Sequence, residues 1–203
     1  MLEEIDDLID NNGRVHYNSF LSYLKSNYKN FIQVSKRPFF IGKELYDGIM
    51  EDNYTQTTTT HFRIKDFIKT NNNNNFSEDE TMLGPVPSAQ ASNFISRAIF
   101  ALRKKRGTAG RANEIQIGRS AVNDLVIADY SISKSHATII IEGDKYFILD
   151  KGSTNKTFIN GSAIEPEQRV EIPSEADIAF GRIVFRFVKA QRVYELMMKN
   201  SKN

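Results

Sequence analysis

Cysteine is absent from the 203 residues, which removes disulfide bonds, thiolate metal ligation and thiol catalysis from consideration. Only three histidines occur, at positions 16, 61 and 136, too scattered to suggest a metal site by spacing. No run of about 18 apolar residues is present, so no membrane-spanning helix is expected. The opening stretch MLEEIDDLID is acidic where a secretory leader is basic, which gives the expectation of a cytoplasmic chain. The phosphate-loop pattern G-x-x-x-x-G-K-[ST], the dinucleotide fingerprint G-x-G-x-x-G and the nucleophile elbow G-x-S-x-G are all missing. Nucleotide hydrolysis, dinucleotide binding and α/β-type hydrolysis therefore lose their usual warrant.

What is there is an ordinary composition, 40% hydrophobic and 26% charged, with material for one or two domains. The net charge of +2 conceals a division. Residues 1–96 carry 9 Lys/Arg against 13 Asp/Glu, residues 97–188 carry 14 against 11, and the last 15 carry 4 against 1. A mildly basic C-terminal half suits an anionic ligand. An excess of three is far below what nucleic-acid binders show, so no nucleic-acid partner is expected.

Asn71–Asn75 is an unbroken Asn run followed by FSEDETMLGPVPSAQAS, whose acids, prolines and small residues bury too little apolar surface to hold a fold. Residues 70–96 are therefore assigned to an Asn-rich linker. Before it, HYNSFLSYLKSNYKNF places Phe20, Leu21, Leu24, Tyr28 and Phe31 at helical spacing, which predicts an amphipathic helix. FIQVSKRPFFIG then reads as strand, turn and strand, and YTQTTTTHFRIKDFIK as an edge strand or a strand followed by a short helix. Residues 1–69 thus form an N-terminal α/β extension.

From residue 97 the pattern changes to short apolar runs punctuated by turn residues, the signature of an all-β sandwich. Candidate strands are AIFALRK, EIQIGR, DLVIA, HATIIIE, KYFILDK, TFIN, QRVEI, DIAFG and IVFRFVK, with a hairpin turn at Gly143 and Asp144. Residues 189–203 close the chain as a helix and tail, with Val193, Leu196 and Met197 on one face. Three polar clusters interrupt the strands: IGRSAVND at 117–124, SISKSH at 131–136 and GSTNKTFING at 152–161. Loops at the end of a sandwich bring donors distant in sequence together. One guanidinium, several hydroxyls and two carboxamides suit a phosphate, with Arg119 forking onto two oxygens and Ser133 and nearby amides satisfying others.

The same residues carry a family likeness. IGRS, N-D-L-V-I at 123–127, S-x-x-H from Ser133 to His136, D-x-G-S-T-N-x-T-F-I-N-G and D-I-A-F-G at 177–181 follow the order seen in forkhead-associated (FHA) domains. Residues 97–188 therefore resemble an FHA domain, and the extensions at either side are similar, more loosely, to those of small bacterial FHA proteins. The resemblance implies a mainly β fold, an FHA-type sandwich of about 9–11 short strands, and a non-enzymatic module that binds phosphothreonine peptides. It implies that Arg119 and Ser133 bind the phosphate, that Lys134 and Thr154 add contacts, and that Asn155 bonds the ligand's main chain. Gly118, His136, Gly152 and Asn160 would support the site. No cofactor or metal is expected. The implied partner is a threonine-phosphorylated protein, a Ser/Thr kinase or its substrate, with the chain acting as an adaptor beneath that kinase.

Two departures stand out. Lys156 occupies the place where the family usually has Gly, which costs on the order of 1 kcal/mol if the turn needs positive φ. Ala176 replaces a Gly before Asp177. The first change leaves open a degenerate FHA sandwich that binds partners independently of phosphate.

Plainer readings compete for individual residues. Arg119 could pair with Asp124 or Glu114 at the surface. A Ser133, His136 and Asp150 triad can be drawn, although Ser and His three apart on an extended segment point to opposite faces. RKKR at 103–106 reads as a solvated strand end rather than a nucleic-acid patch, since no aromatic platform is interleaved with it. The threonines within YTQTTTT at 54–60, and Thr81, which follows an acidic run, are candidates for phosphorylation, and a phosphorylated Thr81 could mediate self-association.

Overall fold

A computed structural model describes residues 5–35, 37–45, 95 and 97–200. The threonines at 54–60, Thr81 and the Asn-rich linker lie outside the described residues, apart from Ile95.

Helix α1 (Tyr17–Val34) is followed by strand β1 (Phe39–Leu45). The C-terminal half supplies β2 (Ile99–Ala101), β3 (Glu114–Gly118), β4 (Leu125–Val126), β5 (Ala137–Glu142) and β6 (Lys145–Asp150). It continues with β7 (Thr157–Ile159), β8 (Ser162–Ala163), β9 (Arg169–Glu171), β10 (Asp177–Phe180), β11 (Ile183–Val188) and helix α2 (Ala190–Asn200). The strands form two sheets, one of six in the order β2-β1-β11-β10-β7-β8 and one of five in the order β4-β3-β5-β6-β9. All pairings are antiparallel except β3 with β4. The fold is a mainly β sandwich, as the strand spacing predicts, with two α-helices among the described residues.

Alternation along the strands builds the core. Ile115 and Ile117, Ile139, Ile148, Ile178 and Phe180, and Phe185 and Phe187 all project between the sheets and are buried. Strand β1 shows why the N-terminal segment belongs in space with the sandwich. It lies between β2 and β11, pairing Phe39 with Val188 and with Ala101. Phe40 points into the inter-sheet core, while Phe39 and Ile41 point outward beneath α1 and α2. There Phe39 stacks on Phe20 at 5.7 Å and meets Phe31 at 6.0 Å. Val193 and Met197 of α2 complete this second apolar layer, as the C-terminal periodicity predicts. The composition boundaries at residues 69 and 96 therefore separate parts of one hydrogen-bonded sheet.

One local expectation is corrected. The sequence predicts a strand at residues 31–34, but they form the last turn of α1. Phe31 is completely buried between Phe20 and Phe39, and that packing outweighs the weak strand preference of the short FIQV run.

Residues 10–15 tie the edges of the two sheets together. The Asp10 carboxylate accepts from the N–H groups of Asn12 and Arg14, forming a tight turn. Within that turn the Asn12 carbonyl accepts from Val126 of β4, and the Gly13 carbonyl accepts from Ala101 of β2. No helix among the described residues is long and apolar enough to cross a membrane.

Candidate functional site

The connections β3–β4 (119–124), β4–β5 (127–136) and β6–β7 (151–156) are laced together by hydrogen bonds. Main-chain bonds set the first two in register: the Arg119 N–H donates to the Ser133 carbonyl at 3.0 Å, and Ser120 N–H to the Lys134 carbonyl at 3.4 Å. Asn123 reinforces them by donating its carboxamide to the carbonyls of Lys134 (2.7 Å) and Ser120 (2.8 Å). This crossing is so close that a Cβ on Gly118 would stand 2.3 Å from the Lys134 oxygen. Only glycine fits there.

The third loop joins through side chains. The Ser133 hydroxyl accepts from the Thr154 N–H at 3.1 Å and lies 3.5 Å from the Thr154 hydroxyl. Asn155 donates its carboxamide nitrogen to the Ser131 carbonyl at 2.8 Å. Arg119, Ser133, Lys134, Thr154 and Asn155, drawn from positions as far as 36 residues apart, therefore sit on one cluster of linked loops. Arg119 and Lys134 are exposed, and among the described residues neither side chain has a hydrogen-bond or ion-pair partner. Asp124 and Glu114, the possible surface partners of Arg119, are engaged elsewhere. Asp124 is buried and accepts from Lys104, the Lys105 and Gln116 main chain and the Thr108 hydroxyl. Glu114 pairs with Arg111.

His136 lies beneath the loops, fully buried, with its ring edge against Phe180 at 5.5 Å. Its Nδ1 accepts from the Ser133 N–H and its Nε2 donates to the Lys156 carbonyl, both at 3.1 Å. These partners place the proton of the neutral ring on Nε2. Burial pushes its pKa below the ordinary histidine value, against the smaller opposing pulls of the Lys156 carbonyl and Asp150.

The triad geometry does not form. Ser133 offers His136 its main-chain N–H rather than its hydroxyl. Asp150 is buried and accepts from the hydroxyls of Ser153 and Thr157, both at 2.6 Å, and from the Ser153 N–H. The carboxylates of Asp124, Asp129 and Asp150 are all turned inward and satisfied, leaving an exposed rim of Arg119, Lys134 and Lys151, the last paired with Glu167 at 2.9 Å. Val122 adds an apolar side chain 71% exposed on the same loop as Arg119. Among the described residues no group of three His, Asp or Glu is arranged to hold a metal ion.

Of the remaining expected residues, Gly152 occupies an exposed turn at φ 70°. Asn160 stands apart from this cluster. Its carboxamide oxygen accepts from the Asp177 N–H at 2.9 Å, bracing the β7–β8 turn against β10. Lys156 adopts φ 56°, so the turn does take the left-handed conformation that its substitution for glycine makes costly. In RKKR, Arg103 pairs with Asp6 and Lys104 with Asp124. Half of that run is thus committed to internal ion pairs.

Sequence reading missed Asn123, Asp129, Ser131 and Arg182 as parts of the site. The D-x-S spacing was a usable signal, because the Asp129 carboxylate accepts from the Ser131 N–H two residues on. Arg182 carried no such signal, being 53 residues from Asp129.

Comparisons with known proteins return FHA domains. A protein-family model described as FHA domain matches residues 115–181. The chain is 42% identical over 57 residues to the FHA domain-containing protein DDL of Arabidopsis thaliana, covering 28% of this chain and 16% of that protein. It is 28% identical over 106 residues to the FHA domain-containing protein FhaB of Mycobacterium tuberculosis, covering 52% of this chain and 68% of FhaB. Among solved structures, the FHA domain of a Chlamydia trachomatis protein is similar at 30% identity and a TM-score of 0.37, covering 45% of this chain and 84% of that one.

Proposed function

Residues 115–181 of this chain form an FHA domain, and from that premise we propose that the protein is a non-enzymatic, phosphothreonine-dependent protein-binding module acting as an adaptor beneath a Ser/Thr kinase. The observation that carries the reading is the unpartnered Arg119 guanidinium on the loop hydrogen-bonded to Ser133, whose hydroxyl is itself held beside Thr154. A phosphate bound there would accept a forked pair of charge-assisted bonds from Arg119 and further bonds from Ser133, with Lys134 adding positive charge. Asp124, Asp129 and Asp150 do not compete, because each is buried and already satisfied. Asn155 would bond the main chain of an extended ligand, and the threonine methyl would distinguish phosphothreonine from phosphoserine by filling a small apolar recess.

The partner is then a threonine-phosphorylated protein in the cytoplasm, the kinase itself or one of its substrates. Phosphorylated Thr81 of a second copy is one such ligand. The rival reading, a sandwich that binds independently of phosphate, drew its support from Lys156. That residue keeps the left-handed turn despite its side chain, and its carbonyl still accepts the hydrogen bond from His136 Nε2, which favours retention of the loop's form.

The test is a titration with phosphothreonine peptides beside matched phosphoserine and unphosphorylated peptides, repeated with Arg119→Ala. Binding that requires both the phosphate and Arg119 is the expected result. Equal binding of all three peptides, or none by any, overturns the reading.

A further inference from the structure

We propose that Arg182 is a positioning residue for phosphopeptide recognition, fixing from the β10–β11 turn, through Asp129 and Ser131, the orientation in which Asn155 presents its carboxamide oxygen. The inference rests on the ligand-binding reading of Asn155 given above.

Arg182 Nε donates to both carboxylate oxygens of Asp129, at 3.2 and 3.1 Å, and its terminal nitrogen donates at 2.7 Å. The two side chains are 4% and 1% exposed, so the pair joins the six-stranded sheet to the β4–β5 loop in the interior. Replacing such a pair with apolar groups is often neutral or stabilising. Stability alone is therefore a weak reason for it.

Its geometric effect is specific. The Asp129 carboxylate also accepts from the Ser131 N–H at 2.9 Å and hydroxyl at 2.7 Å, while the Arg182 N–H donates to that same hydroxyl at 3.1 Å. Ser131 is thereby held from two sides, and its carbonyl faces Asn155 Nδ2 at 2.8 Å. A carbonyl can only accept, so it selects the nitrogen of the carboxamide and turns Oδ1 away from itself. An outward oxygen accepts the N–H of an extended peptide, whereas a flipped carboxamide would meet that N–H with another donor.

The adjacent residue grips the other side of Asn155. Gly181 N–H donates to the Lys156 carbonyl at 3.3 Å. A Cβ at Gly181 would stand 2.5 Å from the Ser131 oxygen. One two-residue turn thus holds both the carbonyl that orients Asn155 and the residue that follows it.

The experiment uses the full chain with Arg182→Lys, which keeps the charge but loses the fork, and with Asp129→Leu combined with Arg182→Met, which removes the pair without leaving an unpaired buried charge. Each is made in the native and the Asn155→Ala backgrounds. Dissociation constants for a phosphothreonine peptide and the Asn155 side-chain amide resonances are measured, with circular dichroism reporting the fold. The expected result is folded protein, a displaced Asn155 amide signal and roughly tenfold weaker binding, the scale of one hydrogen bond. In the Asn155→Ala background the same changes add nothing, because the relay has lost its end point. Native-like binding by folded variants, or the same fold-loss in both backgrounds, overturns the proposal. If the native chain shows no phosphate-dependent binding, the proposed function fails, and an unshifted Asn155 amide signal would separately overturn the positioning role.

Discussion

His136 and Lys156 are joined across two loops, with the imidazole Nε2–H donating to the Lys156 carbonyl at 3.1 Å while Nδ1 accepts from Ser133. The bond at Nδ1 needs the neutral ring, whereas a protonated imidazole would still donate from Nε2. Burial holds the folded-state pKa below the unfolded value of about 6.5, so the unfolded chain takes up the proton first as pH falls. The stability conferred by neutral His136 is fully present above about pH 6.5 and declines below it until the folded pKa is passed. Urea midpoints measured from pH 8 to 5 are expected to fall in that window, and His136→Gln is expected to flatten the step. An unchanged profile in the variant would assign the step to other groups.

Lys156 is held at φ 56°. Replacing it with glycine removes the clash between Cβ and the backbone, and Lys156→Gly is expected to stabilise the fold by about 1 kcal/mol, less the extra entropy glycine carries in the unfolded state. Denaturant unfolding reads this directly. A destabilised variant would mean that the lysine side chain contributes more than its strained backbone costs.

Gly118 gives the opposite expectation. Adding one methyl group drives a Cβ to 2.3 Å from the Lys134 oxygen and 2.9 Å from Asn123 Nδ2. Gly118→Ala is expected to cost about 1–3 kcal/mol and to weaken ligand binding, since the displaced loop carries Ser133 and Lys134. A shift in thermal midpoint accompanied by changes in the Ser133 amide resonance would register both effects.

The N-terminal layer makes a fourth case. Phe39→Ala leaves a cavity among Phe20, Phe31 and the outer face of the six-stranded sheet, with an expected loss of about 3–5 kcal/mol. A fragment beginning at residue 97 loses β1 altogether and uncovers β11 and Val188. It is expected to aggregate on size-exclusion chromatography where the full chain does not.

Much of this architecture was legible because its causes are local. Alternating apolar residues over 137–150 with Gly143 between them specify a hairpin, and the polar runs at 119, 131 and 152 declare themselves against that background. Motif order places Arg119, Ser133, Thr154 and Asn155 on three loops, and those loops are joined in the structure. What stayed hidden depends on contacts across long separations. Nothing in PFFIG says that it lies between β2 and β11, because an apolar run buried on both faces has no diagnostic period. Nor does an Asp at 129 disclose an Arg at 182. The end of α1 was misread for a related reason, since four residues are too few for periodicity to separate a helix turn from a strand.

The turn at residues 10–15 also bears on how copies of this chain meet one another. A sandwich assembled from open sheets presents unpaired main-chain groups that can recruit a neighbour's strand. Here Arg14 bridges to Phe100 of β2, and Asn12 receives the N–H of Val126 on β4, so among the described residues two of the four outer strands are already occupied from within. The other two, β8 and β9, are two and three residues long. Arg169 of β9 is held by Glu142 and lies over the Phe147 ring at 3.7 Å. Strand addition from a neighbouring molecule finds little purchase on such edges, which accords with the loop end of the sandwich being the proposed binding surface.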